Sequence, residues 1–366
     1  ELTSQASAIT SLQYDKLVIA TGAVPFIPDG LAGTSLQGVF TLTKLADANR
    51  IISKLTSNGA RKAVIVGGGL IGMEAAEAFI DRGLDVSVVE MMPHVLPGLL
   101  DDDLSPVVEQ ELTRKGVRLF TGQRVLSLEG DAQGRIRNVI TDKDDIDADM
   151  VLLALGFRPN SSLAREAGLA IDPLGGIDVD EFLRTADTDI YAGGDCVTNI
   201  NLATGKKGFF PMGSTANKHG RVIGTNVTGG HDTFAGVVGT AVVKVFDLSA
   251  GRVGITAEDA RATGFNPIVA SGKGLDRAGY YPGALEAQVK LVADLASGRL
   301  LGGQLVGKGD VSKRTDVLAT AITAGMTVDT ISNLDLAYAP PFSQAMDVLH
   351  DLANVLRGKR EKAAGG

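Results

Sequence analysis

The sequence predicts an α/β protein in which two three-layer domains precede a smaller α+β domain. Its 366 residues are enough for about two to three domains. Up to about residue 238, apolar strands without polar alternation run into helical patterns, which is typical of parallel sheets covered on both faces. After residue 239 the strands are short and joined by turns, which favours an antiparallel sheet.

Composition narrows the class of protein further. Hydrophobic residues make up 44% of the chain, enough for a large core. A net charge of −8 argues against nucleic acid as a partner, because phosphate binding needs a basic surface. The single cysteine, Cys196, excludes an intrachain disulfide and a cysteine-rich metal site, and we expect no metal. There is no run of 18 apolar residues and no signal-peptide pattern, so we expect a cytoplasmic protein without a membrane span.

The first half of the chain predicts strands that alternate with helices. A short strand ends at Thr21-Gly22, and apolar side chains at spacings of three and four predict a helix over 43–57. The segments that follow are a strand, glycine turn and helix at 62–79, a strand at 85–90, a helix at 101–115, a strand at 117–122, a hairpin or meander at 125–149 and a strand at 151–159.

The second half opens with a strand that ends at Gly194-Asp195 and a helix within 209–230 that stops at a glycine pair. Short strands between 241 and 307 form the predicted antiparallel sheet. An amphipathic helix covers 312–325, and a helical pattern occupies part of the last twenty residues.

The most specific local pattern is G-x-G-x-x-G between a strand and a helix, with Gly67, Gly69 and Gly72 in its three slots. Gly67 permits the tight turn, Gly69 lets a pyrophosphate approach the backbone, and Gly72 lets helix and strand pack closely. The free N–H groups of the helix start favour phosphate. The pattern predicts a dinucleotide site, and a glycine turn with a purely structural role is the alternative.

Glu90 ends the second strand, 18 residues after Gly72, where a carboxylate binds the ribose hydroxyls of a dinucleotide. A carboxylate accepts a hydrogen bond from a 2′-hydroxyl but repels a 2′-phosphate, and the following residues Met91, Met92 and Pro93 include no arginine. NADH is therefore favoured over NADPH. A solvated charge at a strand end is the alternative.

Further strand ends carry small or acidic residues, namely Thr21-Gly22, Gly156 and Gly194-Asp195, and a helix start at 211–217 follows the last of them. A buried aspartate at a strand end that faces a helix N-terminus can hold a sugar hydroxyl of a second dinucleotide.

Five sequence segments, in their order along the chain, resemble motifs of the flavin-dependent pyridine nucleotide-disulfide oxidoreductase family. They are ATG at 20–22, GGGLIGMEAAEAF at 67–79, ALGFRPN at 154–160, IYAGGDC at 190–196 and PMGSTANKHGR at 211–221. The C-terminal third is similar to the branch of coenzyme A-disulfide reductases and NADH oxidases, through RAGYYPGA at 277–284, GKGDVSKRTDVLATAITAGMT at 307–327 and DLAYAPPFSQAMD at 335–347. The resemblance covers residues 12–356.

The resemblance implies two Rossmann-like domains, one for FAD and one for NADH, and a C-terminal dimerisation domain. Residues 1–42 with 158–238 would bind FAD, 43–157 would bind NADH, and 239–366 would form a homodimer. The FAD residues implied are Thr21, Gly22, Gly194, Asp195, Pro211, Met212, Gly213, Ser214, Ala216 and Asn217. The NADH residues implied are Gly67, Gly69, Leu70, Ile71, Gly72, Glu74, Glu90 and Gly156.

The resemblance also implies features that these 366 residues lack. The family's first glycine motif, which holds the ADP part of FAD, and its redox cysteine are not among them, and we expect both upstream of Glu1. Cys196 would lie on the pyrophosphate side of FAD, so we expect a small buried thiol there rather than the nucleophile. Leu70 replaces the family's aromatic gate beside the nicotinamide.

Aromatic residues near the C-terminus carry a further implied role. Tyr338, Phe342 and Tyr280 resemble the aromatic residues that one subunit inserts near the flavin of the other, and a plain core or interface role is the alternative. Lys313-Arg314 is expected at the dimer face or as a solvated pair. The run 101–103 is expected to be a charge cluster at a helix N-terminus.

These expectations describe a homodimeric FAD-dependent enzyme that passes electrons from NADH to a small thiol disulfide, a persulfide or oxygen. Two alternatives remain. One is a ferredoxin- or rubredoxin-type reductase, which needs no cysteine, and the other is a non-catalytic NADH-binding redox sensor.

Overall fold

The computed structural model describes residues 12–57 and 59–365, which divide into two compact units. The first unit contains the chain up to Val24, Phe157–Ile200 and Lys206–Val237. The second unit contains Pro25–Gly156, Asn201–Gly205 and the chain from Val238 onward.

Strands and helices are numbered in chain order. The strands are β1 (Leu17–Ile19), β2 (Ala23–Pro25), β3 (Val39–Phe40), β4 (Lys62–Val66), β5 (Asp85–Glu90), β6 (Arg118–Thr121), β7 (Val125–Gly130), β8 (Ile136–Thr141), β9 (Asp145–Asp147), β10 (Met150–Leu153), β11 (Phe157–Pro159), β12 (Ile190–Ala192), β13 (Asn199–Ile200), β14 (Lys207–Gly208), β15 (Ala241–Val245), β16 (Leu248–Gly254), β17 (Pro267–Leu275), β18 (Glu286–Asp294) and β19 (Leu300–Gly307). The helices are α1 (Leu45–Ser57), α2 (Leu70–Ile80), α3 (Ser105–Arg114), α4 (Ser162–Glu166), α5 (Gly213–Val227), α6 (Ala257–Ala262), α7 (Val311–Thr323), α8 (Val328–Ile331) and α9 (Val348–Ala364).

The first unit is built around α5 and short strand pairs. β1 pairs in parallel with β12, β13 pairs antiparallel with β14, and β2, which begins in this unit, pairs with β11. The buried apolar side chains of the unit are those of Ile19, Ala164, Ile177, Leu183, Ile190, Tyr191, Ala192, Cys196, Val197, Val222 and Ile223. This core holds the turn after β12 against α5.

A five-stranded parallel sheet forms the first part of the second unit, in the order β3-β10-β4-β5-β6. Strands β4, β5 and β10 are almost completely buried, which explains why their sequences lack polar alternation. Val66 lies opposite both Leu153 and Val89. The carboxyl ends of the three central strands therefore meet at one edge, where parallel sheets bind ligands. The predicted meander is confirmed as the antiparallel sheet β7-β8-β9.

The predicted antiparallel sheet is also confirmed. Its order is β15-β16-β19-β18-β17, with every neighbouring pair antiparallel. Side chains of α7, α8 and α9, including Leu318, Ile331 and Leu352, share one core with Val289, Leu291 and Leu305 of the sheet. The helices thus cover one face of this sheet.

The five-stranded parallel sheet and the five-stranded antiparallel sheet of the second unit contribute side chains to one hydrophobic core. Val243 and Val306 of the antiparallel sheet, and Phe246 between β15 and β16, lie in the same buried cluster as Ile65 of the parallel sheet and Met73 of α2. Residues 25–42, which the sequence analysis assigned to the FAD domain, belong to this unit, because β3 pairs with β10. The other domain boundaries stay predictions.

Across the described parts of the chain, no helix has the length and hydrophobicity of a membrane span. In the same residues, no group of three or more His, Cys, Asp or Glu side chains is arranged to hold a metal ion.

Candidate functional site

The glycine turn between β4 and α2 adopts a conformation that other residues resist. Gly67 has a φ of 110°, and a Cβ there would lie 2.3 Å from the carbonyl oxygen of Ala154. At Gly72 a Cβ would lie 2.1 Å from the carbonyl oxygen of Gly67. Both glycines are therefore required by the packing of strand, turn and helix, as the motif predicts.

Gly69 differs from its two partners in the motif. Its φ of −79° suits any residue, and a Cβ there would meet no atom within 4 Å. It is the N-cap of α2, and no side chain caps the helix. The N-terminal N–H groups of this 11-residue helix therefore have no side-chain cap, which fits the phosphates of a dinucleotide.

Glu90 is fixed against this turn. Its side chain is 7% exposed, Oε2 accepts a hydrogen bond from the Gly68 N–H at 2.6 Å, and Oε1 accepts one from the Met92 N–H at 2.8 Å. Because a carboxylate oxygen has more than one acceptor position, the group can still bind ribose hydroxyls. Met91 and Met92 next to it are about half exposed and bring no cation for a 2′-phosphate.

A groove of about 630 Å³ lies between α1 and α2. Ile71 and Glu74, both predicted NADH residues, line it, and Glu74 is exposed. Leu70 lies in the first turn of α2 and is half-buried. Gly156 follows β10 with a φ of 92°, and its carbonyl oxygen accepts a hydrogen bond from the Phe26 N–H at 2.9 Å.

In the first unit, Thr21 and Gly22 are fixed by Asn160. The Thr21 hydroxyl donates to the Asn160 carbonyl oxygen at 2.5 Å, and the Asn160 amide donates back to the Thr21 carbonyl oxygen at 3.2 Å. The Asn160 N–H donates to the Gly22 carbonyl oxygen at 2.9 Å. The predicted strand end is therefore joined to the start of α4, a role for Asn160 that sequence reasoning missed.

The turn after β12 and the start of α5 lie together. A Cβ at Gly194 would lie 3.5 Å from the Cβ of Ala216, and the Gly194 N–H donates to Nδ1 of His219 at 3.0 Å. The Asp195 carboxylate has no hydrogen-bond or ion-pair partner among the described residues, and burial raises its pKa. An acceptor without a partner, beside a helix start, fits a ligand hydroxyl.

Helix α5 supplies the other predicted FAD residues. Its N-cap, Met212, has an extended backbone and makes no side-chain cap, so the first N–H groups of this 15-residue helix are open. Gly213, Ser214 and Asn217 are exposed, while Pro211 is half-buried. The Asn217 side-chain oxygen accepts a hydrogen bond from the Arg221 Nε at 3.1 Å.

Comparison with known proteins identifies the family. Residues 2–207 match the pyridine nucleotide-disulphide oxidoreductase family, and residues 240–350 match its dimerisation domain. The chain belongs to this family. The family resemblance and the α/β fold with a C-terminal dimerisation domain are confirmed.

Several relatives are similar over nearly the whole chain. An NADH oxidase of Methanocaldococcus jannaschii is 38% identical over 92% of this chain and 74% of its own length. A CoA-dependent NAD(P)H sulfur oxidoreductase of Pyrococcus furiosus is 38% identical over 95% of this chain and 77% of its own. The solved structure of an NAD-dependent persulfide reductase from A. fulgidus is 46% identical, with a TM-score of 0.93 over 96% of this chain. The chain spans 65% of that structure's length.

The cofactors of the family are FAD and NAD(P)H. The helix starts and carboxylates described above have the chemistry needed to bind both cofactors. The open helix start at Gly69 and the carboxylate of Glu90 suit a nicotinamide dinucleotide. Asp195, which has no partner among the residues that the structure describes, and the uncapped start of α5 suit a flavin dinucleotide. When bound, NADH supplies a hydride and FAD accepts it.

Cys196 is a buried thiol, as predicted. It is 0% exposed, its Sγ–H lies 3.2 Å from the Gly193 carbonyl oxygen, and it packs in the core of the first unit. A thiol without access to solvent cannot exchange with a substrate disulfide.

The C-terminal aromatic residues lie on exposed surface of the second unit. Tyr280 is 77% and Phe342 is 71% exposed, and the Tyr338 hydroxyl raises the pKa of Tyr280. The loops that carry them are joined where the Ala278 N–H donates to the Pro340 carbonyl oxygen at 3.0 Å. Within the described chain these aromatic side chains are not core residues, so the core alternative is wrong.

Sequence reasoning misjudged the environment of Arg314 and missed a contact of His219. Arg314 was expected at the dimer face or in solvent, but it is 1% exposed and paired with Asp347. His219 is a buried residue, and its ring accepts a hydrogen bond from the Gly194 N–H. Neither burial nor this hydrogen bond has a local sequence signal, because both depend on which segments the fold brings together.

Proposed function

We propose that this protein is an NADH-dependent flavoprotein that reduces a small thiol disulfide or persulfide, with oxygen as the competing acceptor. The observation that carries the proposal is the presence in one chain of two open helix starts, each beside a carboxylate at a strand end: Gly69 with Glu90, and α5 with Asp195. Family membership and the enzyme class support it.

The residues of the second unit would divide the work of holding NADH. The start of α2 at Gly69 binds the pyrophosphate, and Glu90 binds the adenosine ribose hydroxyls. Ile71 and Glu74, on the groove between α1 and α2, lie beside the nicotinamide ring, and Leu70 covers it without an aromatic ring. Gly156 lets the backbone after β10 come close to the cofactor.

The residues of the first unit would hold FAD. Asp195 accepts a hydrogen bond from the ribityl chain, Thr21-Gly22 lies against the cofactor, and the N–H groups from Gly213 to Asn217 bind at the start of α5. Cys196 takes no part in sulfur exchange, because its thiol is buried. The redox cysteine is therefore a residue outside these 366.

The balance of the reaction is simple. One NADH and one proton reduce one disulfide to two thiols, or one persulfide to a thiol and hydrogen sulfide.

We propose that the protein works as a homodimer through residues 239–366, with Tyr280, Tyr338 and Phe342 near the partner's flavin. We place it in the cytoplasm, where NADH is produced.

The test uses the FAD-loaded protein without oxygen. NADH should bleach the flavin absorbance, and CoA-disulfide or CoA-persulfide should restore it faster than air does. Loss of NADH bleaching would contradict the enzyme and favour the redox-sensor alternative. Reoxidation by ferredoxin or rubredoxin, with none by disulfide or persulfide, would favour the ferredoxin- or rubredoxin-type alternative.

A further inference from the structure

Residues 96–103 are called here the bridging segment. The segment begins at Leu96, a strained residue that is hydrogen-bonded to the glycine turn. Leu96 has a φ of 55° and is 1% exposed. Left-handed backbone is unfavourable for a residue with a Cβ, so the surrounding structure must hold Leu96 in this conformation. The Leu96 N–H donates to the carbonyl oxygen of Gly68 at 2.8 Å. Gly68 is the residue whose own N–H binds Glu90.

The other end of the bridging segment is held by the antiparallel sheet. Arg252 of β16 donates from Nη1 to the Gly98 carbonyl oxygen. Gln304 of β19 and Asp101 exchange two hydrogen bonds of 2.7 Å, from the Asp101 N–H and from the glutamine amide. Lys290 of β18 pairs with Asp101 and with Asp103, each at 2.7 Å. The acidic run 101–103 was expected only to favour a helix start, but the carboxylates of Asp101 and Asp103 bind side chains of the antiparallel sheet.

The bridging segment is also packed rigidly between its two ends. Leu96, Leu99 and Leu100 are at most 6% exposed and share one core with Ala250 and Val306 of the antiparallel sheet. Gln304 is 2% exposed, so its hydrogen bonds to Asp101 are shielded from water. A change at the sheet therefore reaches Leu96 through close-packed and hydrogen-bonded atoms.

We propose that Arg252, Lys290 and Gln304 are positioning residues for NADH. They hold the bridging segment, which keeps Leu96 left-handed and its N–H on Gly68, and so keeps Gly68 and Glu90 in place for the cofactor. The dimerisation domain thereby sets the shape of the NADH pocket in its own chain. This inference rests on the proposed function.

A second ion pair, between the antiparallel sheet and helix α2, provides the control. Lys244 of β15 pairs with Glu77 on α2, away from the bridging segment, and Glu77 keeps the Phe246 N–H when Lys244 is replaced. If Arg252 and Lys290 only stabilise the second unit, Arg252→Met and Lys290→Met should leave the NADH affinity unchanged, as Lys244→Met is expected to do.

The experiment measures NADH dissociation constants, FAD content and unfolding of the FAD-loaded variants. Arg252→Met and Lys290→Met should raise the NADH dissociation constant roughly five- to 150-fold, the usual range for coupled sites, with kcat at saturating NADH retained. Lys244→Met should leave the constant within twofold of wild type. Amide hydrogen exchange at Leu96 should speed up in the first two variants only, and Arg252→Lys should restore much of the affinity.

Three outcomes are distinguishable. Equal NADH affinity in Arg252→Met, Lys290→Met and Lys244→Met would overturn the inference and leave the proposed function intact. Failure of the wild-type protein to bind NADH would instead overturn the proposed function. If Arg252→Met does not fold, Lys290→Met decides, because its loss leaves the Asp101–Gln304 hydrogen bonds in place.

Discussion

Arg314 and Asp347 form a buried ion pair that joins α7 to the start of α9. The Arg314 Nε lies 3.1 Å and 3.0 Å from the two carboxylate oxygens, and Nη2 lies 2.9 Å from Oδ2. Nη2 also donates to the Leu275 carbonyl oxygen at 2.8 Å. The pair therefore fixes the bases of both loops that carry the exposed aromatic residues.

Removal of this arginine should destabilise the protein strongly. Arg314→Met leaves the Asp347 carboxylate buried without its partner, so we expect a loss of about 3–5 kcal/mol in the free energy of unfolding. Lys273→Met is the control, because it removes an exposed ion pair with Glu286 and should cost at most about 1 kcal/mol. Urea unfolding of both variants measures this, and equal losses would contradict the account.

Cofactor preference should follow Glu90. The wild-type protein should prefer NADH to NADPH by at least tenfold, about 1.4 kcal/mol. Glu90→Gln removes the charge that repels a 2′-phosphate and keeps one oxygen for one of the two N–H groups of Gly68 and Met92, so it should narrow the preference for NADH with a modest loss of NADH affinity. Glu90→Ala leaves the Gly68 and Met92 N–H groups unpaired and should weaken NADH binding more. Titration of each variant with both cofactors tests this, and equal affinities of wild type for the two would refute it.

His219 should make stability depend on pH. Burial lowers the pKa of His219 to about 4, against about 6.5 in the unfolded chain. Between these values the unfolded chain binds a proton that the folded one does not, so stability falls as the pH falls from 6.5 to 4 and is fully present above 6.5. The slope is at most about 1.4 kcal/mol per pH unit.

His219→Gln should flatten this dependence. Chemical unfolding of wild type and variant at pH 7.5 and pH 5 gives the difference, and His231→Gln, at an exposed position, is the control. A wild-type slope that persists in His219→Gln would show that another group titrates.

The exposed aromatic residues should hold the dimer together. Phe342→Glu places a charge where we propose an apolar contact with the partner, so the dimer dissociation constant should rise at least tenfold, about 1.4 kcal/mol. Leu126→Glu changes a side chain on β7 that is 52% exposed and should leave the dimer intact. Sedimentation velocity at micromolar concentration distinguishes them, and a monomeric wild type with FAD bound would rule out the arrangement.

The sequence predicts most of the local architecture of this chain because its signals are periodic or positional. Strands β4, β5 and β10 were predicted from unbroken apolar runs, which these strands have because both of their faces are buried. The glycine turn was predicted from three spaced glycines, and two of them, Gly67 and Gly72, lie where the packing leaves no room for a Cβ. The packing of the antiparallel sheet against α2 and α3 was not predictable, since Phe246 and Val306 have no local feature that marks these helices as their partners.

The same limit applies to the candidate sites. Glu90 and Asp195 could be selected from strand ends, because a carboxylate in that position has a specific use. Asn160, His219 and Arg314 could not, because their partners Thr21, Gly194 and Asp347 are 25 to 139 residues distant in the chain.

The central claim, that the glycine turn binds NADH, is tested most directly at Gly69. Because Gly69 has ordinary backbone angles and open space around its Cβ position, Gly69→Ala should lower the free energy of unfolding by at most about 1 kcal/mol, the loss expected when alanine replaces an N-cap glycine. Gly72→Ala should lower it more, because it forces a Cβ against Gly67. The measurement is an NADH titration of Gly69→Ala beside its unfolding curve. We predict at least a tenfold rise in the dissociation constant in a variant that remains folded, and wild-type affinity for NADH in this variant would contradict the account.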